Sequence, residues 1–343
     1  MTKLTKEQQK WKNRDDELKN LYPAITPNDE IIKDASTNDF DVFYISYDEP
    51  NAEENWSNLI SKIPWAKRIH GIKGFDEAHK HAARQSDTMN FITIDGDNKI
   101  DEDFFNQSIT YNPNYVYSWA GKNHINGLIY GNGGIKLWPK GLVLHMNTHE
   151  HTDDDEAIEF CWKLPYFQMN DWYSVSYNNT TPFQAFRVGF REGVKLSLHE
   201  GKQVEDMTST VWHGNLKRLK IWMSVGADVK NGIYAIYGAR LGCYLTNVTD
   251  FDISQIADYE WFDKTWREKW VKIIEDQEAF KKDYNRLVDD IRNEIGLDIV
   301  NLGKQQSKFF KSTIENPAKM GLIVSETAAT GRNAKFKFKD KNI

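Results

Sequence analysis

The chain has 343 residues, with 44 Lys plus Arg against 50 Asp plus Glu, a formal charge of −6. Apolar residues make up 40% and charged ones 27%, which excludes a disordered or fibrous chain and suits one large domain or two smaller ones. Mild acidity argues against non-specific coating of nucleic acid, the two cysteines Cys161 and Cys243 exclude a disulfide framework, and no apolar run of about 18 residues is present to span a membrane.

Residues 1–36 read as a charged helical lead-in broken by Pro23 and Pro27, with no apolar core of a signal peptide, so a cytoplasmic setting is expected. Residues 41–46 (DVFYIS) are a short run of β-formers and read as a buried strand. Pro50 and Asn51 open a helix through Trp56, Leu59 and Ile60 that Pro64 closes. Residues 66–73 read as a second strand. The spacing of Phe75, Ala78, His79, Ala82 and Ala83 predicts a helix over 75–86. Residues 89–94 (MNFITI) give a third strand, ending in Asp95-Gly96-Asp97. Strand, helix, strand, helix, strand is the start of a doubly wound α/β fold, in which ligands bind at the carboxyl ends of the strands. That rim carries Ser46-Tyr47-Asp48 and Asp95-Gly96-Asp97.

Beyond residue 110 the pattern becomes mixed. Residues 115–119, 127–138 and 142–146 read as strands, the second containing a flexible glycine turn at 131–134. Residues 181–198 predict a helix with Thr181 near its N-cap and Pro182 in its first turn. Residues 217–225 and 233–245 also read as helical. Trp261, Phe262, Trp266, Trp270, Ile273 and Ile274 suggest long amphipathic helices on the outside over 257–296. From Gly303 on, nine basic residues face three acidic ones. The expected segments are the lead-in, an α/β domain over 37–250, a helical extension over 251–302 and a basic tail over 303–343.

Two carboxylates at i and i+2 on a strand end can both reach one hard cation, and that cation can bridge a diphosphate. Asp95 and Asp97 fit this, and Asp101-Glu102-Asp103 downstream strengthens the context; the alternative is a turn former. Tyr47 can stack on a base and Asp48 can accept from it, or Asp48 is a helix cap. Arg187 and Arg191 share a helix face that phosphates suit, or that water covers. His145, His149 and His151, with Asp153 to Asp155, form a metal-attracting loop or a polar surface loop. His213 is a late metal ligand or a packed histidine.

Taken together, residues 42–50 (VFYISYDEP), 66–74 (AKRIHGIKG), Ala78-His79 with Ala82-Ala83, 91–97 (FITIDGD), 126–139 (NGLIYGNGGIKLWP), 179–183 and 190–196 resemble a group of phage-encoded glycosyltransferases with a GT-A fold. The resemblance covers roughly residues 40–245. It implies a GT-A-like mixed sheet flanked by helices, with a C-terminal helical extension. It also implies a UDP-sugar donor and a divalent cation, manganese or magnesium. The nearest group places arabinose on 5-hydroxymethylcytosine in the DNA of T4-like phages, so such DNA is the implied acceptor.

By position, the resemblance makes Asp95 and Asp97 the metal–diphosphate carboxylates; His213 stays a candidate further ligand from its own reading. Ser46, Tyr47, Asp48 and Lys73 sit with the donor nucleotide, Gly133 and Gly134 face the sugar or acceptor, and Arg187 and Arg191 lie near the phosphates. Asp97 and Glu192 are the expected catalytic residues; Glu192 is the candidate base for an inverting reaction, followed by Asp206 and Asp153. Thr181 stands where relatives of this group carry Asp. The Lys/Phe alternation at 331–339 can touch DNA phosphates or merely solubilise. Two rivals remain at this point: a GT-A transferase acting on a glycan or protein, and a non-catalytic nucleotide- or DNA-binding module.

Overall fold

The computed structural model of the chain describes residues 16–22, 31–148 and 164–315. These residues fall into two compact units. The first takes residues up to 121, then 131–148 and 164–175; the second takes 122–130 and 176–315.

The first unit begins with a short helix, α1 (residues 16–21), and a strand, β1 (Lys33–Ser36). Next come β2 (Asp41–Ser46), α2 (Ala52–Ile60), β3 (Lys67–His70), α3 (Phe75–Gln85) and β4 (Asn90–Asp95). β2 pairs in parallel with β3 on one side and β4 on the other. Val42, Phe43 and Tyr44 are all buried, as a strand covered on both faces requires. The two helices are the crossover connections that parallel pairing demands.

After β4 come β5 (Asn98–Ile100), β6 (Ser108–Tyr111), β7 (Val116–Asn123), β8 (Ile129–Pro139), α4 (Lys140–His145) and β9 (Tyr166–Ser176). β8 runs antiparallel to β4, with Phe91 opposite Trp138 and Thr93 opposite Lys136. Seven strands form one mixed sheet in the order β3-β2-β4-β8-β7-β9-β5, and β1 pairs antiparallel with β6. The fold is therefore mixed α/β, a sheet flanked by helices.

Three expectations for the first unit need correction. Residues 142–146 are not a strand: Pro139 supplies an extended N-cap and Lys140–His145 is helical. A short apolar run looks the same in either state, and burial of Leu142, Val143 and Leu144 is satisfied by both. Residues 131–134 are not a turn but lie within β8, where a Cβ on Gly133 would come within 2.0 Å of the Gly121 backbone nitrogen. The lead-in is not helical throughout, because Lys33–Ser36 forms β1. Asp101, in the acidic run after the Asp-Gly-Asp turn, caps the 3₁₀ turn Glu102–Asn106, accepting from the Asp103 N–H (3.1 Å).

His79 lies inside the first unit, on α3. Its Nδ1 is 2.8 Å from the Phe75 carbonyl and its ring sits 4.1 Å from that of Phe75 and 4.9 Å from that of Trp138, centroid to centroid. Burial pushes its pKa down to about 4, so it is neutral.

In the second unit, α5 (Pro182–Lys195) begins as its sequence requires. The Thr181 hydroxyl accepts from the Gln184 N–H (3.1 Å) and Pro182 takes the first turn. This gives the position that departs from the resemblance a capping role. After α6 (Met207–Thr210) and α7 (His213–Trp222), α8 (Gly232–Val248) packs against α5. A Cβ on Gly189 or Gly193 would stand 2.0 or 2.2 Å from the Ala235 or Ala239 carbonyl oxygen; one on Gly238 or Gly242 would stand 2.3 Å from that of Phe186 or Phe190. The two backbones meet directly.

The segment expected as long outer helices is broken into α9 (Tyr259–Thr265), α10 (Val271–Glu275) and α11 (Gln277–Asp290). π-helical turns at Trp266–Trp270 and Ile291–Ile295 and a cap at Asp276 interrupt it. It is not wholly external either: Phe262, Trp270, Leu287 and Ile291 are buried, and Trp270 packs on Phe186 and Phe190. α12 (Lys304–Glu315) ends the described chain. Lys311 pairs with Asp228 (2.6 Å). Buried Cys243 has its thiol pushed up to about 12 by desolvation, as a packing residue would. Among the described residues no helix is long and apolar enough to cross a membrane.

Candidate active site

The carboxyl ends of β2, β3 and β4 form one rim of the first unit, because the registers place Ser46 beside His70 and Ile45 beside Asp95. The Asp95-Gly96-Asp97 turn is pinned from behind. The Tyr44 hydroxyl (2.6 Å) and Asn55 Nδ2 (3.0 Å) both donate to the Gly96 carbonyl. Gly96 allows close approach: a Cβ there would come within 2.9 Å of both Glu49 Oε2 and Ser46 Cβ.

Three carboxylates gather at this turn. Asp95 Oδ2 accepts from Lys136 Nζ (3.2 Å), an ammonium on β8 that is only 3% exposed. Asp97 Oδ1 accepts from Asn98 Nδ2 (2.6 Å). Glu49 Oε2 accepts from the Tyr47 N–H (2.8 Å). Burial first, then the charges of Asp95 and Glu49, push the Asp97 carboxyl up to about 7. Glu49 is likewise raised, by burial and then by Asp48 and Asp95. Lys136 pairs with Asp95 and the Arg68 charge reaches Glu49, so three carboxylates gather about these two cations.

Orphaned acceptors accompany the carboxylates. Asn98 Oδ1, next to Asp97, and Asn55 Oδ1, behind Gly96, are buried with no hydrogen-bond partner. Surplus acceptors beside repelling carboxylates suit a cation, since a hard divalent ion takes oxygen ligands. Among the described residues no group of three or more His, Cys, Asp or Glu side chains is placed to hold a metal alone. Magnesium-type sites of one or two carboxylates plus substrate phosphates need no such group, so the donor set fits.

Other expected residues stand as follows. Tyr47 is 43% exposed on the rim, and Asp48 and Lys73 are exposed. Ser46 is buried, with its hydroxyl 2.9 Å from His70 Nδ1. Gly134 gives way to Asn98, since a Cβ there would lie 2.3 Å from Asn98 Nδ2. The Gly133 carbonyl accepts from the Ser174 hydroxyl (2.5 Å). Both glycines thus have packing reasons. His145 Nε2 lies 2.9 Å from the Tyr22 carbonyl, a donor's position rather than a metal ligand's. His149, His151, Asp153 to Asp155, Cys161 and the run 331–339 lie outside the described residues.

The second unit holds the remaining candidates. Arg187 lies over the Phe183 and Tyr259 rings (5.4 and 4.7 Å) and Arg191 over Tyr259 (6.0 Å). His213 opens α7 beside the Trp212 ring (5.4 Å). Asp206 caps α6, accepting from the Thr208 and Ser209 N–H groups. Glu192 is fully engaged: the Tyr130 hydroxyl donates to Oε2, and Lys195 Nζ lies 2.7 Å from Oε1. Trp222 Nε1 donates to the Tyr130 oxygen (2.6 Å), and Arg218 lies over the Tyr130 and Trp212 rings (4.7 and 5.2 Å). Burial, then the Glu192 charge, raises the Tyr130 phenol well above its ordinary value, so it stays a donor.

Sequence reasoning missed Glu49, Asn55, Asn98 and Lys136. Asn98 directly follows the Asp-Gly-Asp turn, but Lys136 reaches Asp95 only through the β4–β8 register, which no local pattern carries. No protein-family model, curated protein or solved structure matches the chain.

Proposed function

We propose that this chain is a cation-dependent glycosyltransferase of the GT-A type. Its donor is a UDP-sugar, arabinose being the sugar, and its acceptor is the hydroxymethyl group of 5-hydroxymethylcytosine in DNA. The observation that carries the reading is the Asp95-Gly96-Asp97 turn at the carboxyl rim of a parallel strand–helix–strand array, with Asp97 and Glu49 raised and Asn98 Oδ1 unpartnered. The choice of donor and acceptor rests on the sequence resemblance.

Asp95 and Asp97 would hold manganese or magnesium. When bound, the ion supplies positive charge to offset what develops on the UDP leaving group. The chain's own residues do the rest. Tyr44 and Asn55 fix the turn, so the carboxylates are organised before a ligand arrives. Lys136 holds Asp95 in place. Exposed Tyr47 offers a stacking face to the base. Glu192 can accept a proton only by giving up Tyr130 or Lys195.

A donor-and-acceptor screen tests the reading. The protein is incubated with manganese, several UDP-sugars, and hydroxymethylated or plain DNA. A mass increase of one pentose on the hydroxymethylated DNA alone is the expected outcome. The net charge of −6 favours a second acceptor class, a glycan or protein, and transfer to these with none to DNA would establish it. UDP binding that is indifferent to manganese would leave only a non-catalytic module.

A further inference from the structure

On the same rim, one strand beyond β2, His70 ends β3 directly beside Ser46. The Ser46 hydroxyl is 2.9 Å from His70 Nδ1. Arg68 Nε donates to that hydroxyl (3.1 Å), and Arg68 Nη2 lies 3.3 Å from the same Nδ1. Arg68 is itself fixed, by both oxygens of Glu53 (3.0 and 2.7 Å) and by the Tyr44 and Trp56 rings (5.7 and 5.9 Å).

The hydrogen-bond accounting has one consistent solution. A guanidinium only donates. The Ser46 oxygen accepts from Arg68, so its own proton turns to Nδ1. Nδ1 then faces two donors and carries no proton. The imidazole proton sits on Nε2, and because His70 is exposed, that N–H is a fixed donor on the rim.

Its distance from the carboxylates selects its partner. β3 and β4 flank β2, so His70 and Asp95 are two strand spacings apart, about 10 Å. A diphosphate held at Asp95 and Asp97 does not reach that far; the nucleoside attached to it does. Nε2–H is free to donate to a ligand in place of water, and the uracil ring offers carbonyl oxygens.

We infer that His70 is a specificity residue for the donor, its Nε2–H donating to a carbonyl oxygen of the uracil base, with Ser46 and Arg68 as positioning residues. This rests on the UDP-sugar reading of the same rim.

Calorimetry with manganese tests it, using UDP and inorganic pyrophosphate as probes against the unaltered protein, His70→Phe and His70→Gln. The expected result is that His70→Phe weakens UDP about tenfold while pyrophosphate is unchanged, and that His70→Gln, which keeps a donor, recovers most of the loss. Unchanged UDP affinity in His70→Phe overturns the inference. So does equal weakening of UDP and pyrophosphate, which would place His70 at the phosphates. Failure of the unaltered protein to bind UDP overturns the donor reading itself, and the inference with it. If His70→Phe does not fold, His70→Gln and the ¹⁵N shifts of the imidazole decide, since a proton found on Nδ1 removes the fixed donor.

Discussion

Two polar clusters, one in each unit, treat a carboxylate in opposite ways. Around Glu192 both carboxylate oxygens are occupied: one takes the Tyr130 hydroxyl, the other takes Lys195, and Trp222 closes on the phenol oxygen, while Nε and Nη2 of the neighbouring Arg218 are buried without hydrogen-bond partners. Around Asp97 demands are left over: three carboxylates crowd together about the charges of Lys136 and Arg68, and a neighbouring amide oxygen has no donor. A carboxylate with both oxygens taken adds to the stability of the fold, whereas one crowded by other carboxylates costs stability. Removing a group should therefore cost stability at Glu192 and activity at Asp97.

The largest expected effect is at Asp97. Asp97→Asn should lower sugar transfer by at least about a hundredfold in a turnover assay. The same variant should melt no lower than the parent at pH 8. Asp97 has a folded pKa above its unfolded value of 3.8, so its contribution is present below pH 3.8 and lost as pH rises through about 7. Asparagine stays neutral and escapes that loss. Activity retained, or a marked fall in melting point, would erase the contrast between the clusters.

His79 supplies the next effect, from a buried group outside both clusters. Its folded pKa of about 4 lies below the unfolded 6.5, so stability is present above pH 6.5 and lost as pH falls toward 4. The loss is on the order of 3 kcal/mol, measurable by urea denaturation across that window. His79→Phe should flatten the slope. Glu192→Ala follows, at about 2 kcal/mol, because the Tyr130 hydroxyl loses its acceptor and Lys195 its partner. Tyr130→Phe is the smallest, at about 1 kcal/mol. Chemical denaturation of both variants at pH 7 would sharpen the comparison, and wild-type stability in Glu192→Ala would break it.

The part of the fold visible in the sequence is the part made of local signals. β2 to β4 could be read because apolar runs and helical spacing alternate cleanly there, and the Asp-Gly-Asp turn was visible as a strand end. α5 was visible through Thr181 and Pro182. β9 was not, because polar residues interrupt YFQMNDWYSVS, and its strand state comes from its neighbours in the sheet. Residues 142–146 read as a strand because a run this short carries no period that separates strand from helix, whereas α4 is helical there. In the site, Asp95 and Asp97 could be found from spacing, but Glu49, Asn98 and Lys136 could not. Their importance arises from burial and from pairings across as many as 41 residues. His70 lies within the β3 sequence run, yet its tautomer depends on Arg68 and Ser46 in space.

The direct backbone contact of α5 with α8 carries a genetic consequence. Gly189, Gly193, Gly238 and Gly242 each leave no room for a methyl group. Every amino acid reachable from a glycine codon by one base change bears at least that methyl. Point mutation at these four codons thus offers only silence or damage, and drift of the helix pair toward looser packing must begin with changes at two positions together.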